Sequence, residues 1–203
     1  DIYYPEWTSG LLSQNKKEKL VSYNQWLLTE GVKKGLISNK PKDYVWEEFV
    51  IHSLGFGLII NTEYKSKTIC DLGTGAGIPG VPIAIMNSKK KVYLVDRSEK
   101  RIFELERLKK LFDIKNIEPV LASAEFFVSK NTEAIGIYVS RCFMPTENII
   151  KNIFSDEKHR PEALLVSSNQ KKKFTENAQF HVKQEEILIN KRKRRSIDVI
   201  TFK

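Results

Sequence analysis

The chain has 203 residues, 41% of them hydrophobic, and its 34 Lys and Arg against 25 Asp and Glu leave a formal net charge of +9. That length supports one sizeable core and falls short of two. No apolar run approaches the roughly 18 residues of a membrane span, and no basic stretch leading into an apolar one opens the chain, so a soluble, cytoplasmic protein is expected, with the positive charge favouring a polyanionic partner over simple solubility.

From about Asn15 to Ile60 the pattern is helical, with Leu20, Tyr23, Leu27 and Leu28 in one part and Val45, Phe49, Ile51 and Leu54 in the next, separated by Asn39-Lys40-Pro41-Lys42. A helical extension over 1–62, packed on a main domain over 63–203, is expected. From Lys67 the pattern changes to short apolar runs: TICDL (68–72), KVYLVD (91–96), IEPVLA (117–122), AIGIYVS (134–140) and EALLVSS (162–168). Amphipathic segments lie between them, such as Arg97 to Leu111 with Ile102, Leu105, Leu108 and Leu111 on one face. Strand, helix, strand repeated this way means an α/β fold with a mostly parallel sheet covered on both sides. The end differs: Glu185–Ile189 and Ile197–Phe202 read as strands joined by only 190–196, too short for a parallel crossover. An antiparallel C-terminal hairpin therefore closes the doubly wound sheet.

The stretch ICDLGTGAGIPG (69–80) places four glycines within eight positions directly after the first strand. Ligands of open parallel sheets bind beyond the carboxyl ends of the strands, and glycines there leave the backbone bare against a nucleotide-like ligand. Two frames fit. Gly75-x-Gly77-x-x-Gly80 matches the dinucleotide fingerprint, with Asp96 at the end of the second strand where a ribose-binding acid belongs, so a nicotinamide-dependent oxidoreductase is one alternative. The other frame is Asp71-x-Gly73-x-Gly75-x-Gly77. S-adenosylmethionine carries an ammonium group that dinucleotides lack, and Asp71 is expected to serve it directly or through water. Pro79 tilts the choice toward the second frame, because it removes an amide that a pyrophosphate would use, although proline is tolerated at the first position of a helix. Asp96 could instead act as an acid at the start of the next helix; its place after the second strand favours ribose.

Cys70 and Cys142 are far apart and lack a CxxC partner, which fits a reducing compartment and suggests no disulfide framework. His52, His159 and His181 stand at no metal-ligand spacing with one another or with cysteine, and no metal site is expected. The run Lys191-Arg192-Lys193-Arg194-Arg195 is the densest charge in the chain. A solvated loop is the ordinary explanation. Held at a hairpin tip with little to offset their repulsion, however, five like charges are better explained by an RNA backbone. Lys89-Lys90-Lys91 and Lys171-Lys172-Lys173 are candidates for the same face.

The stretches ICDLGTGAGIPGVPIAI (69–85), LVDRSEKRIFELERL (94–108), IEPVLASAEFF (117–127), VSRCF (139–143) and RRSIDVITFK (194–203) resemble the bacterial 16S ribosomal RNA guanine-N7 methyltransferases, also called glucose-inhibited division protein B. The resemblance implies a class I S-adenosylmethionine-dependent methyltransferase fold preceded by helices. It also implies that Gly73, Gly75, Gly77 and Ile78 lie on the methionine and ribose side of the cofactor, Asp96 at the ribose hydroxyls, Ala124 and Glu125 at the adenine, and Arg141 at the mouth of the site. The implied partner is 16S ribosomal RNA or the small-subunit particle, met by a monomeric chain without membrane or metal. The chain departs from the family where an Arg-His pair ahead of Asp-Ser is replaced by Glu48-Phe49 and His52-Ser53, where Ser168-Asn169 stands for Lys-Gly, and where Ser123 replaces an arginine. Because the altered positions are those more suited to face RNA, a non-catalytic RNA-binding protein on the same fold is a further alternative.

Methylation at guanine N7 needs alignment and no general base, because N7 already presents a lone pair. Ser140-Arg141-Cys142-Phe143-Met144-Pro145 lacks the Asn/Asp-Pro-Pro-aromatic sequence that amine methylation tends to use. Cys142 is a bystander unless a pyrimidine carbon is the target, Phe143 is core or a stacking surface, and Arg141 grips a phosphate, stacks on a base or orients the cofactor carboxylate.

Overall fold

The computed structural model describes residues 2–168 and 174–203, so Asn169 and Lys171–Lys173 lie outside the described residues. Seven strands form one sheet: β1 (Thr68–Leu72), β2 (Lys91–Asp96), β3 (Ile117–Leu121), β4 (Ile137–Ser140), β5 (Ala163–Ser167), β6 (Phe180–Asn190) and β7 (Lys193–Phe202), in the order β3-β2-β1-β4-β5-β7-β6. The first five are parallel and β7 runs antiparallel to both β5 and β6. Strand order reverses between β1 and β4, which opens a crevice at their carboxyl ends.

Strand alternation divides the core into two layers. Ile69, Val92, Leu94, Ile137, Val139 and Leu165 face α1 (Gln14–Trp26), α3 (His52–Glu63), α4 (Gly80–Met86) and α5 (Glu99–Leu111), while a three-residue turn α2 (Lys42–Tyr44) buries no residue. Cys70, Leu72, Val95, Tyr138, Leu164 and Val166 face α6 (Ala124–Lys130) and α7 (Thr146–Ile153). The N-terminal helices thus complete one face of the sheet, with Leu20, Tyr23, Leu27, Ile51 and Leu54 fully buried. Two stretches, Leu27–Gly31 and Val45–Ile51, are wound as π-helix, and the second turns both Glu47 and Glu48 toward the hairpin.

In α5, Ser98 caps the first turn by accepting from the Arg101 amide at 3.4 Å, and Lys109 and Lys110 occupy the last turn. Leu105 and Leu108 are buried, but Leu111 is 68% exposed. The chain leaves the helix through Asp113 at φ +48°, and Ile114 fills the core position that the periodicity assigns to Leu111.

The C-terminal hairpin is longer than expected. Its turn is only Lys191-Arg192, and Asn190 pairs with Lys193. Because Ile197 pairs with Ser167, the last residue of β5, residues 193–196 overhang the carboxyl edge of the sheet, on the side of the glycine loop.

Candidate active site

The loop between β1 and α4 runs through three glycines in the left-handed region: Gly73 (φ +69°), Gly75 (φ +59°) and Gly77 (φ +90°). At Gly75 a Cβ would meet nothing within 4 Å, so the backbone there borders open space. At Gly73 a Cβ would lie 2.2 Å from Phe143 Cδ2, so the aromatic ring of the β4–α7 turn rests directly on that glycine. A cavity of about 340 Å³ opens beside them, lined by Gly73, Val95, Asp96, Arg97, Arg101, Ala122, Ser123, Ala124, Glu125, Cys142, Phe143 and Met144. Its volume lies at the low end of the range for small-ligand sites, roughly 300–1,000 Å³.

Asp96 forms the floor. It is 4% exposed, and its Oδ2 accepts from the Gly75 amide at 2.9 Å while Oδ1 accepts from the Ser98 amide at 2.9 Å. Arg101 Nη1 lies 3.4 Å from Oδ2. One carboxylate therefore joins the carboxyl end of β2 to the glycine loop and to the start of α5. Ser123 caps α6, its hydroxyl accepting from the Phe126 amide at 3.1 Å, which accounts for a small hydroxyl residue there. Arg97 and Arg101 in the wall were not among the sequence candidates. The place of Arg101 in the first turn of the helix that follows Asp96 is the signal that could have found it.

The cavity thus brings together Gly73, Asp96, Ala124 and Glu125, with Gly75 at its edge. It does not bring in Asp71, Gly77, Ile78 or Arg141. Asp71 shares the strand face of Ile69, turned toward α4, and is fully buried. Its Oδ2 accepts from Thr74 Oγ1 at 2.7 Å and from the Gly80 amide at 2.8 Å, and Oδ1 has no partner among the described residues. Burial pushes its carboxyl up to about 7, opposed by those two hydrogen bonds and reinforced by the Asp96 charge. Asp71 thus braces the glycine loop through Thr74 and the Gly80 amide. Gly77 packs where a Cβ would strike Val81, and Ile78 rests on the core.

Arg141 is also redirected. Its side chain is 9% exposed and points into the N-terminal helices: Nη1 donates to the Glu48 carbonyl, Nη2 lies 3.8 Å from Glu48 Oε2, and the guanidinium sits 5.5 Å from the Phe49 ring centroid. Burial lowers its pKa. It does not reach the mouth of the cavity, because Glu48 offers a carboxylate beneath the turn.

Glu48 organises more than Arg141. Its Oε1 is 2.6 Å from Lys193 Nζ and 2.8 Å from Arg195 Nη2, while Glu47 Oε2 is 2.9 Å from Lys193 Nζ. Burial pushes the Glu48 carboxyl up, but the hydrogen bonds from Lys193 and Arg195 outweigh it and hold the group below the usual carboxylate range. Arg194, on the opposite face of the strand, pairs with Glu186 at 3.4 Å. The picture of five unopposed charges at a hairpin tip is thus corrected: Lys193, Arg194 and Arg195 lie in β7 with carboxylate partners. Among the described residues, Lys191 and Arg192 have none. His52, one turn beyond Glu48, is 3% exposed, with neither ring nitrogen partnered among the described residues; burial, then the Arg141 charge, lowers its pKa to about 3. The departures at positions 48 and 52 are mutually consistent: a cation at 48 would face Arg141, Lys193 and Arg195, whereas a carboxylate there neutralises them and a neutral imidazole sits behind.

Cys70 is buried and burial raises its thiol pKa, while Cys142 is exposed at φ +55° on the cavity rim. Among the described residues, no cluster of three or more His, Cys, Asp or Glu could hold a metal ion. None of their helices is long and apolar enough to cross a membrane.

The sheet order, the bare glycine loop and the acid closing β2 define a class I S-adenosylmethionine-dependent methyltransferase. Solved structures share this fold: magnesium protoporphyrin IX methyltransferase from Synechocystis PCC 6803 has a TM-score of 0.56 at 14% identity, over 90% of this chain and 97% of that one. TrmK of M. capricolum has a TM-score of 0.54 at 18% identity, over 74% and 67%. The chain belongs to the rRNA small subunit methyltransferase G (GidB) family, whose model matches residues 16–200. It is 29% identical over 151 residues to ribosomal RNA small subunit methyltransferase G of Bacteroides thetaiotaomicron, spanning 74% of this chain and 68% of the relative. To the protein of the same name from Bacteroides fragilis strain ATCC 25285 it is 30% identical over the same shares. The chain is accordingly a methyltransferase using S-adenosylmethionine, and the dinucleotide frame of the glycines is set aside.

The site fits that cofactor on its own geometry. Open space at Gly75 leaves room for a ligand against the main chain, and Asp96 places a buried carboxylate where a ribose diol would donate to it.

Proposed function

We propose that the chain methylates N7 of a guanine in 16S ribosomal RNA, acting as a monomer in the cytoplasm, with the helices of 1–62 serving as an extension of a methyltransferase domain over 63–203. The observation that supports this most is the Asp96–Gly75 floor of the 340 Å³ cavity in a chain of the small-subunit family. S-adenosylmethionine supplies, when bound, a methyl group already activated by its sulfonium. Asp96 would hold the ribose hydroxyls, Gly73 and Gly75 the methionine side, and Ala124 and Glu125 the adenine.

Guanine N7 has no proton to lose before attack, so the chain's part is alignment and exclusion of water. Phe143, seated on Gly73, is the group placed to cover the donor and to stack on an extruded base. Arg141 acts as a positioning residue that ties the Phe143 turn to Glu48, rather than touching the reacting atoms. The overhanging end of the hairpin meets the RNA backbone, chiefly through Lys191 and Arg192. Incubation with methyl-labelled S-adenosylmethionine and unmethylated 16S RNA, naked or in small-subunit particles, followed by nucleoside analysis, tests the proposal. Label in N7-methylguanosine is expected, and the better substrate of the two identifies the assembly state; label in another nucleoside, or none with either, overturns it.

A further inference from the structure

The glycine loop is held by a residue from outside the sheet. Tyr23, in α1, is fully buried, and its hydroxyl donates to the Ala76 carbonyl at 2.9 Å. Ala76 lies between Gly75 and Gly77, both in the left-handed region, so this hydrogen bond fastens the centre of the most conformationally permissive part of the turn. Asp96 holds one side of the turn through the Gly75 amide, and Asp71 holds the start of α4 through the Gly80 amide. The Tyr23 ring is fixed in turn, stacked on Trp26 at 6.2 Å with 16° between the planes. Burial, reinforced by the Asp71 charge, pushes the phenol pKa well above its ordinary value, so the hydroxyl stays a donor. Two turns earlier on α1, Lys16 Nζ donates to the Met86 carbonyl at 2.6 Å, at the far end of α4. One N-terminal helix therefore spans the loop and the helix that follows it.

We infer that Tyr23 is a positioning residue for the cofactor: its hydroxyl holds the Gly75–Gly77 turn in the form that receives S-adenosylmethionine, so that the N-terminal extension completes the donor site. The inference rests on the reading that this loop holds the donor. When only a fraction of molecules have the turn in its competent form, the apparent affinity falls by that fraction. Tyr23→Phe removes the hydroxyl and keeps the ring. The expected result is a rise of about fivefold in the dissociation constant for S-adenosylhomocysteine and in KM for S-adenosylmethionine, equivalent to about 1 kcal/mol, with kcat at saturating donor unchanged. Amide exchange at Gly77 and Ile78 is expected to quicken in the free variant and to return to the wild-type rate when S-adenosylhomocysteine saturates it. Tyr23→Met, which also lacks the donor, is expected to show the same KM rise. Lys16→Met, which loosens only the distal end of α4, is expected to leave KM alone. A lower thermal midpoint in both Tyr23 variants with unchanged donor affinity would overturn the inference and leave Tyr23 a packing residue. Failure of the wild-type protein to bind S-adenosylhomocysteine would instead overturn the reading of the loop itself.

Discussion

Two classes of basic residue in the hairpin make opposite predictions. Lys191 and Arg192 form the turn and have no carboxylate partner among the described residues, whereas Lys193 and Arg195 are tied to Glu47 and Glu48. Each RNA phosphate contact contributes about 0.7–0.9 to the slope of log affinity against log salt. Replacing Lys191 and Arg192 together with alanine removes two such contacts, so the slope should flatten by about 1.4–1.8. The thermal midpoint should hold, because neither side chain supports the fold. Arg195→Ala should behave in the reverse manner. It leaves the buried Glu48 carboxylate short of a partner, at a cost of about 1–3 kcal/mol, which is roughly 2–12 °C in a domain of this size. Its salt slope should change less, because in the free protein its charge is already neutralised. Fluorescence anisotropy with a labelled 16S fragment at several salt concentrations, alongside thermal unfolding of each variant, checks both halves. An unchanged slope for the Lys191/Arg192 variant, or a full slope loss at unchanged midpoint for Arg195→Ala, would refute the division of the hairpin into free and clamped charge.

Asp96→Ala should weaken donor binding by about 1.5–3 kcal/mol, as expected for a lost charged hydrogen bond, while leaving RNA affinity nearly unchanged; calorimetric titration with S-adenosylhomocysteine measures it. Asp71 and His52 oppose one another with pH. Asp71 is raised to about 7 when folded, so its contribution favours folding at low pH and is lost as pH rises from about 4 to 7. His52 is lowered to about 3, so its contribution is present above about 6.5 and lost as pH falls toward 3. Relative to wild type, Asp71→Asn should therefore make stability rise more steeply with pH between about 4 and 6.5, and His52→Phe should make it fall; denaturant midpoints across that window decide the signs. Cys142→Ser should keep full methyl transfer to guanine, since N7 attack uses no thiolate, and loss of turnover in a folded variant would point to a nucleophilic mechanism instead.

The sequence carried the strands that are buried on both faces: β1 and β2 coincide with the TICDL and KVYLVD runs because a parallel sheet demands near-continuous apolar residues. Asp96 and the glycines were legible for the same reason, as polar or bare positions directly after such runs. The hairpin was underestimated because β6 and β7 extend into stretches such as His181–Gln184 and Lys193–Ser196, whose mostly polar residues carry little apolar signal. Arg141 was misplaced because its partner, Glu48, lies 93 positions upstream, on a π-helical turn that no local periodicity announces.

The central claim is that the cavity between Gly73, Asp96 and Phe143 is where the methyl donor sits. A crystal structure of the chain with S-adenosylhomocysteine tests it most directly. The ribose hydroxyls should fall within hydrogen-bond distance of Asp96, with the adenine beside Ala124 and the sulfur next to Gly73. Ligand density in the larger cavity lined by Phe154, Phe174 and Phe180, with the Gly73–Asp96 cavity unfilled, would contradict it.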